Sequence, residues 1–269
     1  MIRRIGIIAV GLLLIGAVAG RAELTTEEVH RLFHQANEAF RQANEKAGEP
    51  EAERLYSQAI LSYERIIEEG GIRNAKLYYN LANAYFLRQD IGRAILNYRR
   101  AERLEPSDPR IQKNLAFARS KRVDQIRLKG EQRVLQTLFF WHYDFSMRTR
   151  FLLACVAFAV VCGAGLVIIW RGRSAAATAT AVVAGLLLVC FVVSVAVQAR
   201  AEAGSIEGVI VADDVVARQG DGNNYPPSFE EPLHSGTEFE LLEQRAGWYY
   251  IRLADETETW IPDTTGALI

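Results

Sequence analysis

Few side chains in this sequence are placed to do covalent chemistry. His30 and His34 share a helix face at the spacing of two zinc ligands, but no HExxH glutamate and no third ligand accompanies them. Asp213-Asp214, Glu230-Glu231 and Glu68-Glu69 are adjacent pairs whose members point different ways, so none forms a defined acid and base. Asp221-Gly222-Asn223 opens like a calcium loop and lacks the remaining ligands and the closing glutamate; it reads as a turn. Neither a phosphate-binding glycine loop nor a nucleophile elbow is present. His142 and Asp144 sit among aromatic neighbours that account for them. All three cysteines, Cys155, Cys162 and Cys190, fall inside apolar runs, which leaves the polar parts without a disulfide or thiolate metal framework. The expectation is a protein that binds rather than catalyses, with no metal and no cofactor. A net charge of −1 gives no reason to expect nucleic acid as the ligand.

The residues best suited to binding lie in a helical, self-similar stretch. Leu77 to Phe86 reads LYYNLANAYF, Arg88-Gln89-Asp90 makes a turn, and Gly92 to Pro106 continues with small residues at Ala94 and Ala101. Ala59 to Tyr63 recurs 35 residues later as Ala94 to Tyr98, and Asn80-Leu81-Ala82 recurs 34 residues later as Asn114-Leu115-Ala116. Ala36-Asn37 and Phe40 match Ala82-Asn83 and Phe86 at an offset of 46, so the first unit carries an insertion around Glu45 to Glu53. Large and small positions, turn and terminal Pro106 together resemble a tetratricopeptide repeat, with Ala82 and Tyr78 standing where that family usually has Gly and often Trp. Two repeats and a cap running from about Pro109 to Lys129 are expected within 23–130. Stacked pairs present a concave face built from their first helices. Helical spacing places Phe33, Asn37 and Phe40, then Tyr79, Asn83 and Phe86, then Lys113, Phe117 and Ser120 on it. Each asparagine offers donor and acceptor to an extended peptide, and the resemblance implies ligand contact at that position.

Two runs without a charged residue, Phe151 to Trp170 and Ser174 to Val197, must hold this module at a membrane. Only Arg171, Gly172 and Arg173 separate them, so they form a hairpin and the flanking modules share one side. Arg3 and Arg4, the apolar Ile5 to Ala19 and small residues to Ala22 have the layout of a secretory signal peptide over 1–22, an uncleaved anchor being the alternative. That start places the flanking modules outside the cytoplasm, although Arg148, Arg150 and Arg200 on the exported side do not follow the positive-inside rule. Leu138 to Phe145, within the juxtamembrane segment 131–150, is dense in aromatic residues suited to the headgroup level.

Residues 204–269 change to short strands. Thr237 to Leu241 alternates polar and apolar, Gly247 to Leu253 is strand-prone, and Trp260-Ile261-Pro262 follows a polar turn. With Val216-Ala217-Arg218, Gly220 and Ser235-Gly236-Thr237, this resembles a bacterial SH3-like barrel. Trp248 is expected in its core, with Tyr225, Tyr249 and Trp260 as surface candidates. The whole order resembles the BatE-type proteins of bacterial Bat (aerotolerance) operons. That resemblance implies an inner-membrane protein facing the periplasm, working with von Willebrand A-type Bat proteins and a nearby MoxR-type ATPase in oxidative-stress tolerance. A barrel that contacts peptidoglycan is the alternative. On this reading, replacing Asn37 and Asn83 by Ala weakens partner recovery in a pull-down while helicity by circular dichroism is unchanged.

Overall fold

The computed structural model describes residues 24–124, 141 and 145–269. The expected leader over 1–22, and His142 and Asp144 with most of the aromatic stretch around them, lie outside the described residues. Seven helices and a five-stranded antiparallel sheet are present among those described.

The N-terminal helices are α1 (Thr26–Glu45), α2 (Pro50–Glu68), α3 (Ala75–Leu87), α4 (Ile91–Leu104) and α5 (Pro109–Arg119). Their starts are encoded locally. Thr25 and Glu28 make a reciprocal capping box at α1, while Asn74, Asp90 and Asp108 accept from the first-turn amides of α3, α4 and α5. Pro50 and Pro109 open α2 and α5, where a missing N–H costs nothing. Ala36, Ala59, Ala82, Ala94 and Ala118 are fully buried and let successive helices approach closely, while Tyr63, Leu77, Leu81, Ile95 and Leu115 fill the space between them. The insertion read from the sequence lengthens both helices of the first pair, to 20 and 19 residues against 13 and 14 in the second. The overhanging end has a small core of its own: Ala43, Ala52, Leu55 and Tyr56, with Phe40 packed against it. Helix α5 stops at Arg119 rather than running on to Lys129, because tight turns close it and the Arg119 and Arg122 side chains are drawn to the sheet.

Helices α6 (Met147–Arg171) and α7 (Ala175–Gly204) are long and apolar enough to cross a membrane. Gly172 turns the chain at φ 84, and Ser174 caps α7 by accepting from Ala177 N. Ala154, Ala157, Ala164, Ala184 and Ser194 lie buried in the hairpin. Gly163, Gly165 and Gly185 meet no neighbour within 4 Å of where a Cβ would stand, so alanine and serine, not glycine, set this helix approach. Arg150 is buried between the two helices and donates to Ser194 Oγ at 2.7 Å and to Gln198 Oε1. The three cysteines are exposed along the apolar helices.

Strands β1 (Ile206–Ile210), β2 (Glu238–Arg245), β3 (Trp248–Leu253), β4 (Glu258–Pro262) and β5 (Gly266–Leu268) form a sheet of order β4-β3-β2-β1-β5. The long connection from β1 to β2 returns to the β4 edge, where Arg218 and Trp260 exchange backbone hydrogen bonds of 2.8 and 2.9 Å. Ile210, Val215, Leu233, Phe239, Ile251, Leu253 and Ile261 form the core beneath it.

This sheet is not a separate module. Val209 is fully buried in the core of the helical stack, where Val211, Ala267 and Ile269 join it. Gly92 marks the closest approach on α4: an added Cβ would lie 2.3 Å from Ser235 Oγ and 2.8 Å from Ile210 O. Around this apolar contact, Glu238 accepts from Arg119 at 2.6 and 2.7 Å and from Arg122 at 3.2 Å, with Arg99 Nε 3.3 Å away. Arg99 also pairs with Glu207, and Arg100 and Arg103 donate to the carbonyls of Leu268 and Ile269 along β5. At the end of the stack Asp124 accepts from His234 N and Thr237 Oγ1 and pairs with His234 Nδ1, each at 2.7 Å.

Burial alone would raise the Glu238 carboxyl, but the Arg119 hydrogen bonds and the charges of Arg119, Arg99 and Arg122 hold it below the usual carboxylate range. Asp124 is likewise held low against its burial by the His234 and Thr237 donors. His234 is raised by its hydrogen bond to Asp124, with Asp214 and Asp213 adding to the attraction. The depressed carboxyls contribute stability above their unfolded values and lose it as pH falls through the folded ones. The raised imidazole contributes fully below its unfolded value of 6.5 and loses it as pH rises through the folded one. Docking is therefore expected to be tightest in weak acid, read by amide exchange in β1 across a pH series, and His234→Ala is expected to remove the alkaline loss alone. Glu238→Ala takes the carboxylate from Arg119 and Arg122, which keep some solvent, while Arg99 retains Glu102 and Glu207, and is expected to lower stability by about 2 kcal/mol in a denaturant titration.

Candidate functional site

The face built from α1, α3 and α5 is held by one hydrogen-bonding unit used twice. Asn37 Oδ1 accepts from Tyr63 OH at 2.8 Å and from Asn80 Nδ2 at 3.3 Å. Asn83 Oδ1 accepts from Tyr98 OH at 2.5 Å and from Asn114 Nδ2 at 3.0 Å. Each asparagine of a first helix thus ties the tyrosine of its own second helix to the asparagine opening the next unit. Both tyrosines are almost wholly buried, which pushes Tyr63 up to about 12 and moves Tyr98 in the same direction. A related contact, Tyr56 OH to Asn44 Oδ1 at 2.8 Å, braces the overhanging end of the first pair. Asn37 and Asn83 therefore act first as ties within the stack, and their acceptor oxygens are already engaged.

The aromatic candidates frame these ties. Phe33 packs edge-on to Tyr63 with ring centres 6.2 Å apart, and Tyr79 packs against Tyr98 at 6.0 Å. Phe40 leans on Tyr56 at 5.8 Å, and Phe86 faces Phe117 at 5.4 Å. Three cations cover rings from the neighbouring unit or turn: Lys76 over Phe33 at 5.8 Å, Arg110 over Tyr79 at 6.0 Å and Lys121 over Phe117 at 5.3 Å. Lys113 is exposed one turn before Phe117, and Ser120 closes its own turn by donating to Phe117 O.

Phe40, Asn83, Phe86, Leu87, Tyr98, Asn114 and Phe117 line an open cavity of about 200 Å³. Leu87 is 41% exposed and Phe117 53% exposed, and together they leave an apolar patch open at the mouth of this cavity. The structure thus brings Phe40, Asn83 and Phe86 to one hollow. Phe33, Asn37 and Tyr79 lie on the same face but outside its lining. Leu87, Asn114 and the two buried tyrosines were not among the candidates. The 34- and 35-residue echoes of Asn80 in Asn114 and of Tyr63 in Tyr98 already carried their signal.

On the sheet the aromatic candidates separate. Tyr225 is 48% exposed, with its carbonyl held by Arg218 Nη1 at 2.8 Å. Tyr249 is half-buried against the sheet core. Trp260 is a correction: only 8% exposed, it is stacked on Tyr250 at 4.8 Å and covered by the Arg245 guanidinium at 4.7 Å. Trp248 is a second correction, half-buried and outside the sheet core. Strand register explains both. Trp248, Tyr250 and, opposite it, Trp260 share the outer face, while Tyr249, Ile251 and Leu253 turn inward.

Among the described residues no group of three His, Cys, Asp or Glu could hold a metal ion, and His30 and His34 are exposed on α1. No protein-family model matches this chain, and no curated protein matches it.

Asn37→Ala or Asn83→Ala removes an acceptor from a buried tyrosine and from a neighbouring asparagine. Each is expected to destabilise the stack by about 1–3 kcal/mol in denaturant unfolding, whereas Leu87→Ala and Phe117→Ala, at exposed positions, should leave stability nearly unchanged.

Proposed function

We propose that this chain is a non-catalytic, membrane-anchored adaptor that holds a partner protein on the concave face of a short tetratricopeptide array. The observation that carries the reading is the hollow between Phe40, Phe86 and Phe117, rimmed by exposed Leu87 on a rigid helical frame. Such a surface suits an apolar anchor residue of a partner and offers no group positioned for bond chemistry. Two helices long enough to cross a membrane hold the frame close to the bilayer. The five-stranded module, read as SH3-like, buttresses the array through α4.

The order of parts supports assignment to the BatE-type family, with the soluble body in the periplasm at the inner membrane. The partner is then a von Willebrand A-type Bat protein, linked indirectly to a MoxR-type ATPase and to oxidative-stress tolerance. The peptidoglycan reading has less support, since of the three aromatic candidates on the sheet only Tyr225 stands well exposed.

A photoreactive residue at Leu87, introduced into the full chain in cells, tests the proposal without cutting an internal tie. Capture of a von Willebrand A-type membrane protein is the expected result. Capture of nothing, or of cytoplasmic proteins alone, overturns the groove or the orientation. Retention of the full chain by isolated peptidoglycan, lost on Tyr225→Ala, would favour the second reading.

A further inference from the structure

On the α3 and α5 side the charge around the hollow is one-sided, while on the α1 wall beside Phe40 the carboxylates Glu38 and Glu45 are both paired with Arg41. Helices α3 and α5 carry Lys76, Arg110, Lys113 and Arg119 and no Asp or Glu, and Lys121 and Arg122 follow directly. Arg110 is neutralised by Asp108, and Arg119 and Arg122 are consumed by Glu238. Among the described residues no carboxylate pairs with Lys76, Lys113 or Lys121, and two of these lysines sit over aromatic rings instead. Lys113 precedes Phe117 by one helical step on α5, and Lys121, in the turn after the helix, sits over the Phe117 ring at 5.3 Å, so two ammonium groups lie near the most exposed ring of the hollow. Such positions act over about one Debye length, roughly 8 Å at physiological salt, and so select for charge placed directly against them.

Building on the groove reading, we infer that the occupant is an acidic protein segment in which a bulky apolar side chain is flanked by Asp or Glu. The apolar side chain enters the hollow between Phe86 and Phe117. Carboxylates on either side meet Lys113 and Lys121, and a further acidic residue reaches Lys76 at the other end of α3. The internal asparagine ties remain intact, since the segment needs none of their oxygens.

The test uses the full chain in nanodiscs as bait for a display library of random peptides, followed by affinity measurements on synthetic versions of the enriched sequences. Enriched peptides are expected to carry Phe, Leu, Ile or Met between acidic residues. Their affinity should fall about tenfold or more in Lys113→Glu/Lys121→Glu and weaken with rising salt. Lys113 and Lys121 are exposed, so an unchanged melting temperature in the double variant verifies that the fold persists. Neutral or basic peptides that lose affinity in Leu87→Ala/Phe117→Ala would overturn the charge inference and leave the groove reading standing. Peptides that bind both double variants as well as the parent, or no enrichment at all, would overturn both.

Discussion

Helix α4 carries two packing duties at once, and most of the soluble structure depends on that. One side closes the second helical pair through Ala94 and Tyr98; the other receives the sheet through Gly92, Ile95 and the arginines at 99, 100 and 103. A helix buried on both sides needs a small residue where backbone approaches backbone and long cationic side chains where carboxylates and carbonyls must be satisfied. Gly92 supplies the first requirement and Arg99 the second. The sheet benefits in turn, because its short β5 edge is covered by α4 and its last carbonyls are occupied rather than left open to pairing with another chain.

The repeated asparagine tie divides labour within the stack. Buried hydroxyls and amides satisfy one another beneath the face of α1, α3 and α5, so these neighbouring helices are locked in register. The aromatic residues one turn away are thereby freed to stand at the surface. Rigidity and stickiness come from adjacent positions on the same helices, which is how so small an array can present an apolar hollow without collapsing into it.

Elements with local causes were legible in the sequence: the repeat offsets, the hairpin turn between Arg171 and Arg173 and the strand-prone segments. What escaped reading depends on pairings far apart in the chain. Arg99 and Glu207 are 108 residues apart, and Arg100 and Leu268 are 168 apart. No local pattern announces that the two soluble stretches share one core. The four consecutive large residues Trp248 to Ile251 show no alternation, so only the register with β4 decides that Trp248 faces out and Ile251 in. The asparagines were recognised as equivalent, but their role changed once Tyr63 and Tyr98 were seen to donate to them. A polar residue at a repeat position serves a ligand or the repeat itself, and spacing alone does not choose between them.

The docked sheet gives the chain an unusual topology. The helical stack is complete by Asp124, the two apolar helices intervene, and the chain returns at Ile206 to finish a body it left more than 80 residues earlier. The apolar hairpin is thus an insertion within a single fold. During synthesis the helical stack emerges with α4 still uncovered, Arg100 and Arg103 without their β5 carbonyls and Gly92 open. Only after both apolar helices have been made can β1 and β5 arrive. A chain whose hairpin kept the two stretches apart would be marked by an exposed α4 that proteases can reach.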